Sequence, residues 1–193
     1  MKTFLSIAAT ACFAAIQLSG ATADSAGTRV TVQIAGEAFE GQPEFEIRFG
    51  DQLVGSGTLT NGIDTVSEGR LFFSPDPDEY LETFEFMVPN RDFQRNAPIT
   101  VHLTNDRFKE EAWGRDRNIF IRSITVNGAK VFSRNLQLEA DAKPVKVDYQ
   151  AGFLPVYRQN QRAVAQPPAG GWPSPDGRTS RLTVQPHIPA AGG

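Results

Sequence analysis

The chain has 193 residues, about one domain's worth, with 40% hydrophobic and 21% charged residues. That composition belongs to a chain that folds around a core, not to a disordered one. A net charge of −3 with no run of lysine or arginine argues against a nucleic-acid partner. No apolar run reaches the ~18 residues of a membrane span. The single cysteine, Cys12, excludes a disulfide framework and a thiolate zinc site. Two histidines, His102 and His187, are too few for a His-rich metal centre.

Residues 1–23 read as a secretory signal peptide. Lys2 supplies the positive start, Phe4 to Leu18 the apolar stretch, and Ala21-Thr22-Ala23 the small-x-small cleavage pattern. Cleavage after Ala23 would remove Cys12 and place the protein in the periplasm or outside the cell.

Residues 24–149 read as strands throughout. Apolar and polar residues alternate at Val30–Ile34, Phe45–Phe49, Phe84–Val88 and Ile99–Leu103. Further short runs follow at Ile119–Val126, Val131–Phe132, Leu136–Leu138 and Val145–Tyr149. Asn127-Gly128, set between two such runs, signals a tight hairpin, because both turn positions need positive φ. Gly55-Ser56-Gly57 lacks the surroundings of a nucleophile elbow and reads as a bulge or a close backbone approach. No segment carries a helical period with caps. Many short antiparallel strands in this length predict an all-β fold, an antiparallel β-sandwich of jelly-roll-like winding.

Residues 150–193 change character. They are rich in Pro, Gly and Ala, and carry four arginines against one aspartate. They are predicted to form a flexible tail, in which Gln166–Pro173 neither pairs into a sheet nor buries much. A basic tail on an acidic body reads as a solvated terminus or as a tether to an envelope partner.

No nucleophile–base pair can be assembled around either histidine, so enzymatic activity is not expected. His102 reads as a sheet-surface residue. The informative segment is Thr104–Asn118, which packs carboxylates, amides and one tryptophan between two strands. Asp106 and Asp116 stand at its two ends. If the flanking strands are neighbours, the carboxylates can converge, with Asn105, Asn118 and loop carbonyls filling further positions of a calcium site. The same residue types also serve at turns and strand ends by bonding nearby backbone.

Asn105-Asp106, a variable loop, Asp116-Arg117-Asn118-Ile119, a strand and Val126-Asn127-Gly128 resemble the signature of the calcium-dependent xylan-binding carbohydrate-binding modules. Val32–Gly36, Phe45–Gly50 and Gln52–Gly55 look like that family's opening strands. The resemblance covers about Arg29 to Val131. It implies a β-sandwich holding Ca2+ at the edge of a sugar site, with neighbouring sugar hydroxyls completing the coordination. It makes Asp106 and Asp116 the leading metal ligands, with Asn105 and Asn118 as either ligands or loop braces. Trp113 becomes the stacking platform and Glu111 its companion at the sugar. Glu110 and Glu111 serve otherwise as extra ligands or solvated charge. Arg117 is expected to pair with a carboxylate rather than touch sugar. The implied partner is a xylan-like polysaccharide with free vicinal hydroxyls. The alternative is an envelope interaction sandwich that binds no sugar.

Overall fold

The computed structural model describes residues 27–110, 114–147 and 149–175. The expected signal peptide, Cys12, Glu111, Trp113 and the chain from 176 onward lie outside the described residues.

Two sheets face each other. The first holds β1 (Gly27–Ala38), β4 (Ile63–Asp64), β5 (Glu82–Pro89), β7 (Arg107–Phe108), β8 (Asp116–Val126), β9 (Ala129–Phe132) and β12 (Leu154–Val156). The second, in spatial order, holds β11 (Lys143–Val145), β10 (Gln137–Ala140), β13 (Gln161–Ala165), β6 (Ile99–Leu103), β2 (Glu44–Phe49) and β3 (Gln52–Thr58). Every pairing is antiparallel except the short contact of β1 with β4. The chain crosses repeatedly between the sheets, the winding predicted from sequence. Among the described residues the only helical turns are short 3-10 pieces such as Leu71–Phe73 and Pro77–Tyr80.

Alternation explains the core. Phe45, Ile47 and Phe49 of β2 point inward and are fully buried, as are Val30, Val32 and Ile34 of β1 and Val101 and Leu103 of β6. Burying each such side chain contributes roughly 1.5–3 kcal/mol. Glycines let the sheets approach at one seam. A Cβ on Gly55 would lie 2.6 Å from the Phe86 ring and one on Gly57 3.2 Å from the Phe84 ring, both on β5 of the facing sheet, while within its own sheet Gly57 would meet the Phe45 ring of β2 at 2.6 Å. The register of β2 against β3 also shifts beside Gly55, so the segment is both a bulge and a close approach. Asn127 and Gly128 take φ of 45° and 87° in the two-residue turn between β8 and β9, as the sequence predicts.

The upper half of the first sheet is covered on both faces. Ile119 and Ile121 face the main core, while Phe120 and Ala35 face outward under the loop that follows β4. Leu71, Ile63 and Phe153 close this satellite cluster, and Phe72 packs edge-on to Phe120 at 4.9 Å. An unbroken apolar run such as Ile119-Phe120-Ile121 suits burial on both faces. This cluster holds the loop carrying Arg70 and the turn carrying Tyr157 beside the site described below.

The tail boundary at 149 is corrected. β12 pairs with β8, and β13 lies inside the second sheet between β10 and β6. Ala163 and Ala165 face the core, where small side chains suffice. Gln166–Pro173 indeed forms no strand, yet Trp172 is 0% exposed within the main core. Its indole N–H donates to the Ala97 carbonyl at 2.7 Å, and its backbone N–H to Arg95 at 2.8 Å. Asn127 donates to the Pro173 carbonyl at 2.8 Å. The Pro and Gly residues shape a turn that inserts this plug. The last expected strand is shorter than predicted, ending at Val145, while the Tyr149 hydroxyl donates to the Leu136 carbonyl at 2.8 Å.

Candidate functional site

β6 runs from the Trp172 end of the sandwich to the opposite end, where Asn105 and Asp106 follow it. The segment from 104 to 118 is a hairpin rather than an open loop: Phe108 pairs with Asp116, and Arg107 with Arg117. Lys109 N–H donates to the Arg115 carbonyl at 3.0 Å, extending the pairing. Asp106 enters this hairpin and Asp116 closes it, so strand pairing brings the two carboxylates together. Both line one cavity at the end of the sandwich.

Two oxygens define its chemistry. Asp106 Oδ1 and Asp116 Oδ1 are buried and have no hydrogen-bond partner among the described residues. Asp106 Oδ2 accepts only a long bond, 3.3 Å, from Gln159 N–H. Leaving an ionised oxygen dry and unpaired is costly, so a proton or a cation would relieve these carboxylates. Burial pushes the Asp116 carboxyl above the ordinary carboxylate range. The Asn118 amide and Arg70 pull it back, and the negative charges of Asp106 and Glu37 add to the rise. The donors are oxygens, which suit a hard cation such as calcium. Among the described residues no group of three or more His, Cys, Asp or Glu side chains gathers into a metal cluster. Two carboxylates therefore need carbonyls, water or ligand hydroxyls to complete six to eight positions.

The two asparagines differ. Asn105 Oδ1 accepts from Glu44 N–H at 2.8 Å, and its amide donates to the Gln42 carbonyl at 3.0 Å. Its side chain is a brace tying the hairpin to the start of β2, one of the two roles expected of it. Asn118 is fully buried; its amide donates to Glu37 Oε2 at 2.7 Å, and its Oδ1 is unpartnered. It braces with one atom and leaves an oxygen available with the other.

Arg117 also departs from expectation. It is 8% exposed and, among the described residues, meets no carboxylate. Its guanidinium instead donates to four backbone carbonyls, those of Phe39 (2.7 Å), Glu40 (2.6 Å), Gly41 (3.2 Å) and Asn105 (2.7 Å). Arg117 thus clamps the turn after β1 onto the hairpin. Its charge points to the opposite face of β8 from Asp116.

Behind the carboxylates lies a buried ion pair. Glu37 Oε1 accepts from Arg70 Nε at 2.7 Å and from Leu71 N–H at 2.8 Å. With Asn118 on its other oxygen, Glu37 fixes both β8 and the satellite loop. Glu37→Gln leaves the Arg70 guanidinium without its counter-charge and sets an amide NH2 against the Asn118 donor. The expected loss is about 3 kcal/mol of stability, measured by urea unfolding. An unchanged midpoint would show that the network is dispensable.

Trp113 and Glu111 fall outside the described residues, so their expected sugar contacts are not placed. The cavity offers aromatic faces that sequence reasoning missed: Phe108, 59% exposed, and Tyr157. Arg158, Asn160 and Gln161 form its far wall. These four residues between 157 and 161 belong to the segment read as tail. The β-type run Leu154–Tyr157 was the signal that could have found them.

The fold is thus a β-sandwich with a cavity at one end lined by two carboxylates and two aromatic rings. The chain belongs to the family CBM60, described as Ca-dependent carbohydrate-binding module xylan-binding, which matches residues 29–140, more than half of its length. It is thus a carbohydrate-binding module. Two solved structures are similar to it. The first is vCBM60 in complex with galactobiose, 18% identical over 70% of this chain and 94% of that one, with a TM-score of 0.39. The second is the selenomethionine form of vCBM60, from work on circular permutation between two families of calcium-dependent modules. It is 19% identical over 72% of this chain and 90% of that one, with a TM-score of 0.39. Among curated proteins none matches the chain.

Proposed function

We propose that this protein is a non-catalytic polysaccharide-binding protein that takes its glycan through calcium held by Asp106 and Asp116. The proposed ligand is xylan or a related glycan with free vicinal hydroxyls. The observation carrying this reading is a pair of buried carboxylate oxygens, unpartnered among the described residues, on two aspartates that line one cavity. When bound, the ion would supply a site where a vicinal diol replaces two waters. The chain's own residues do the rest. Asp106 and Asp116 hold, Asn118 offers a further oxygen, Glu37 and Asn118 keep β8 in place, and Arg117 fixes the hairpin. Phe108 and Tyr157 would present ring faces to the apolar C–H side of a sugar, and Trp113 and Glu111 are proposed as further sugar contacts.

The signal-like start supports export to the periplasm or beyond. The tether alternative loses support, because the former tail as far as 175 includes two strands and the Trp172 plug.

Titration calorimetry with xylo-oligosaccharides, in calcium and then in excess chelator, tests the reading. Binding in calcium that disappears with chelator is the expected result. Binding that survives the chelator would refute the calcium-held site. Silence in both conditions would refute xylan as the ligand.

A further inference from the structure

We propose that Arg158 makes this site selective for an acidic glycan, one carrying a uronate carboxylate beside the sugar held at Asp106 and Asp116. The inference rests on the glycan-binding reading above and adds the class of glycan. It comes from a part of the chain beyond residues 29–140, the range that matches the family.

Arg158 lies on the turn between β12 and β13, and that turn is held from both sides. Gln161 N–H donates to the Arg158 carbonyl at 2.9 Å, and Tyr157 N–H donates to Gln161 Oε1 at 2.9 Å. Gln159 N–H reaches Asp106, while the Asn160 amide donates to Asp141 at 3.1 Å. The turn therefore presents its side chains to the cavity from a fixed backbone.

Three other arginines near the site are committed, and Arg115, which precedes Asp116, is not among the residues that line the cavity. Arg70 is paired with Glu37, Arg107 with Glu40, and Arg162 with Glu139 at 2.6 Å. Arg158 lines the same cavity as Asp106, Glu110 and Asp116, yet among the described residues its guanidinium makes no ion pair or hydrogen bond. A neutral glycan would make no use of that charge. A divalent ion at Asp106 and Asp116 would cancel much of their charge and leave that of Glu110, and Arg158 is the cationic side chain among the lining residues that can meet a glycan's acid group. The planar guanidinium fork matches a carboxylate with two parallel bonds. A uronate reaching Arg158 would also place negative charge between the guanidinium and any cation at Asp106 and Asp116, relieving their mutual repulsion.

The test is calorimetry in calcium buffer with three ligands: a neutral xylo-oligosaccharide, the same oligosaccharide bearing glucuronic acid, and its carboxyl-reduced counterpart. The wild type is expected to bind the acidic ligand roughly tenfold more tightly than either other, the worth of one charge-assisted contact. Arg158→Gln is expected to bring all three to one affinity, costing the acidic ligand about tenfold more than the neutral one, and Arg158→Lys to restore part of the preference. Equal wild-type affinities for all three ligands, or an Arg158→Gln variant that weakens neutral and acidic ligands alike, would overturn the inference. The neutral arm reports on the underlying reading alone. If the wild type binds none of the three, that reading fails and this inference falls with it.

Discussion

Replacing Asp116 with asparagine is expected to abolish calcium-dependent glycan binding while leaving the ion-free fold at least as stable as the wild type. The two effects have one cause. Asp116 Oδ1 is buried without a partner, and burial holds its carboxyl above the usual range. In the absence of a cation the charge is a burden, and the isosteric amide removes it. With the ion the order reverses. Losing a mere supporting group typically weakens metal affinity ~10–100-fold, so losing a ligand carboxylate is expected to exceed about a hundredfold. The wild type in calcium at about 100 times Kd gains ~2.7 kcal/mol, a rise of roughly 5–10 °C in Tm for a domain of this size. The variant is expected to gain nothing. Thermal unfolding with and without calcium separates the cases. A variant that still rises in calcium would remove Asp116 from the site, and one that fails to fold would make its role structural.

The second large effect lies at the other end of the sandwich. A chain ending at Tyr149 loses β12, β13 and Trp172 together. Removing β13 opens the second sheet in its middle and exposes the facing edges of β10 and β6. Against a total stability of about 5–15 kcal/mol, this truncation is expected not to fold. Trp172→Ala isolates part of that loss. It leaves a core cavity and strands the Ala97 carbonyl, for an expected destabilisation of roughly 3–5 kcal/mol. Because β6 separates Trp172 from Asp106, glycan affinity of the folded Trp172→Ala protein is expected to stay within about twofold, as sites without shared partners behave independently. A truncated chain with wild-type circular dichroism and unfolding midpoint would contradict this assignment of the core.

The strands were legible where side chains alternate in size and polarity. Phe45-Glu46-Ile47-Arg48-Phe49 announces its inner and outer faces residue by residue. Asn127-Gly128 and the glycines at 55 and 57 were legible because backbone conformation and close approach restrict those positions to few residue types. β13 was not. Its inward residues are Ala163 and Ala165, which resemble the Ala-rich sequence after them, and its partners are distant in the chain. The satellite core was hidden for a related reason: a continuous run such as Ile119-Phe120-Ile121 does not reveal what covers its second face.

The convergence of Asp106 and Asp116 was legible only as a condition on the flanking strands, and the pairing of β7 with β8 meets that condition. The braces were not legible, because their partners are backbone atoms. Nothing in the side chain of Arg117 marks the carbonyls of Phe39, Glu40 and Gly41 as its targets, and nothing in Asn105 marks the N–H of Glu44. The far wall at Tyr157–Gln161 was hidden with β13, since both come from the segment whose composition resembles a tail.

The most direct test is anomalous diffraction from a crystal of the protein grown with calcium and a xylo-oligosaccharide. The account requires one calcium peak about 2.3–2.6 Å from Asp106 Oδ1 and Asp116 Oδ1, with sugar hydroxyls on the same ion. A sugar bound elsewhere, or a cavity at Asp106 and Asp116 with no calcium beside a bound sugar, would contradict it.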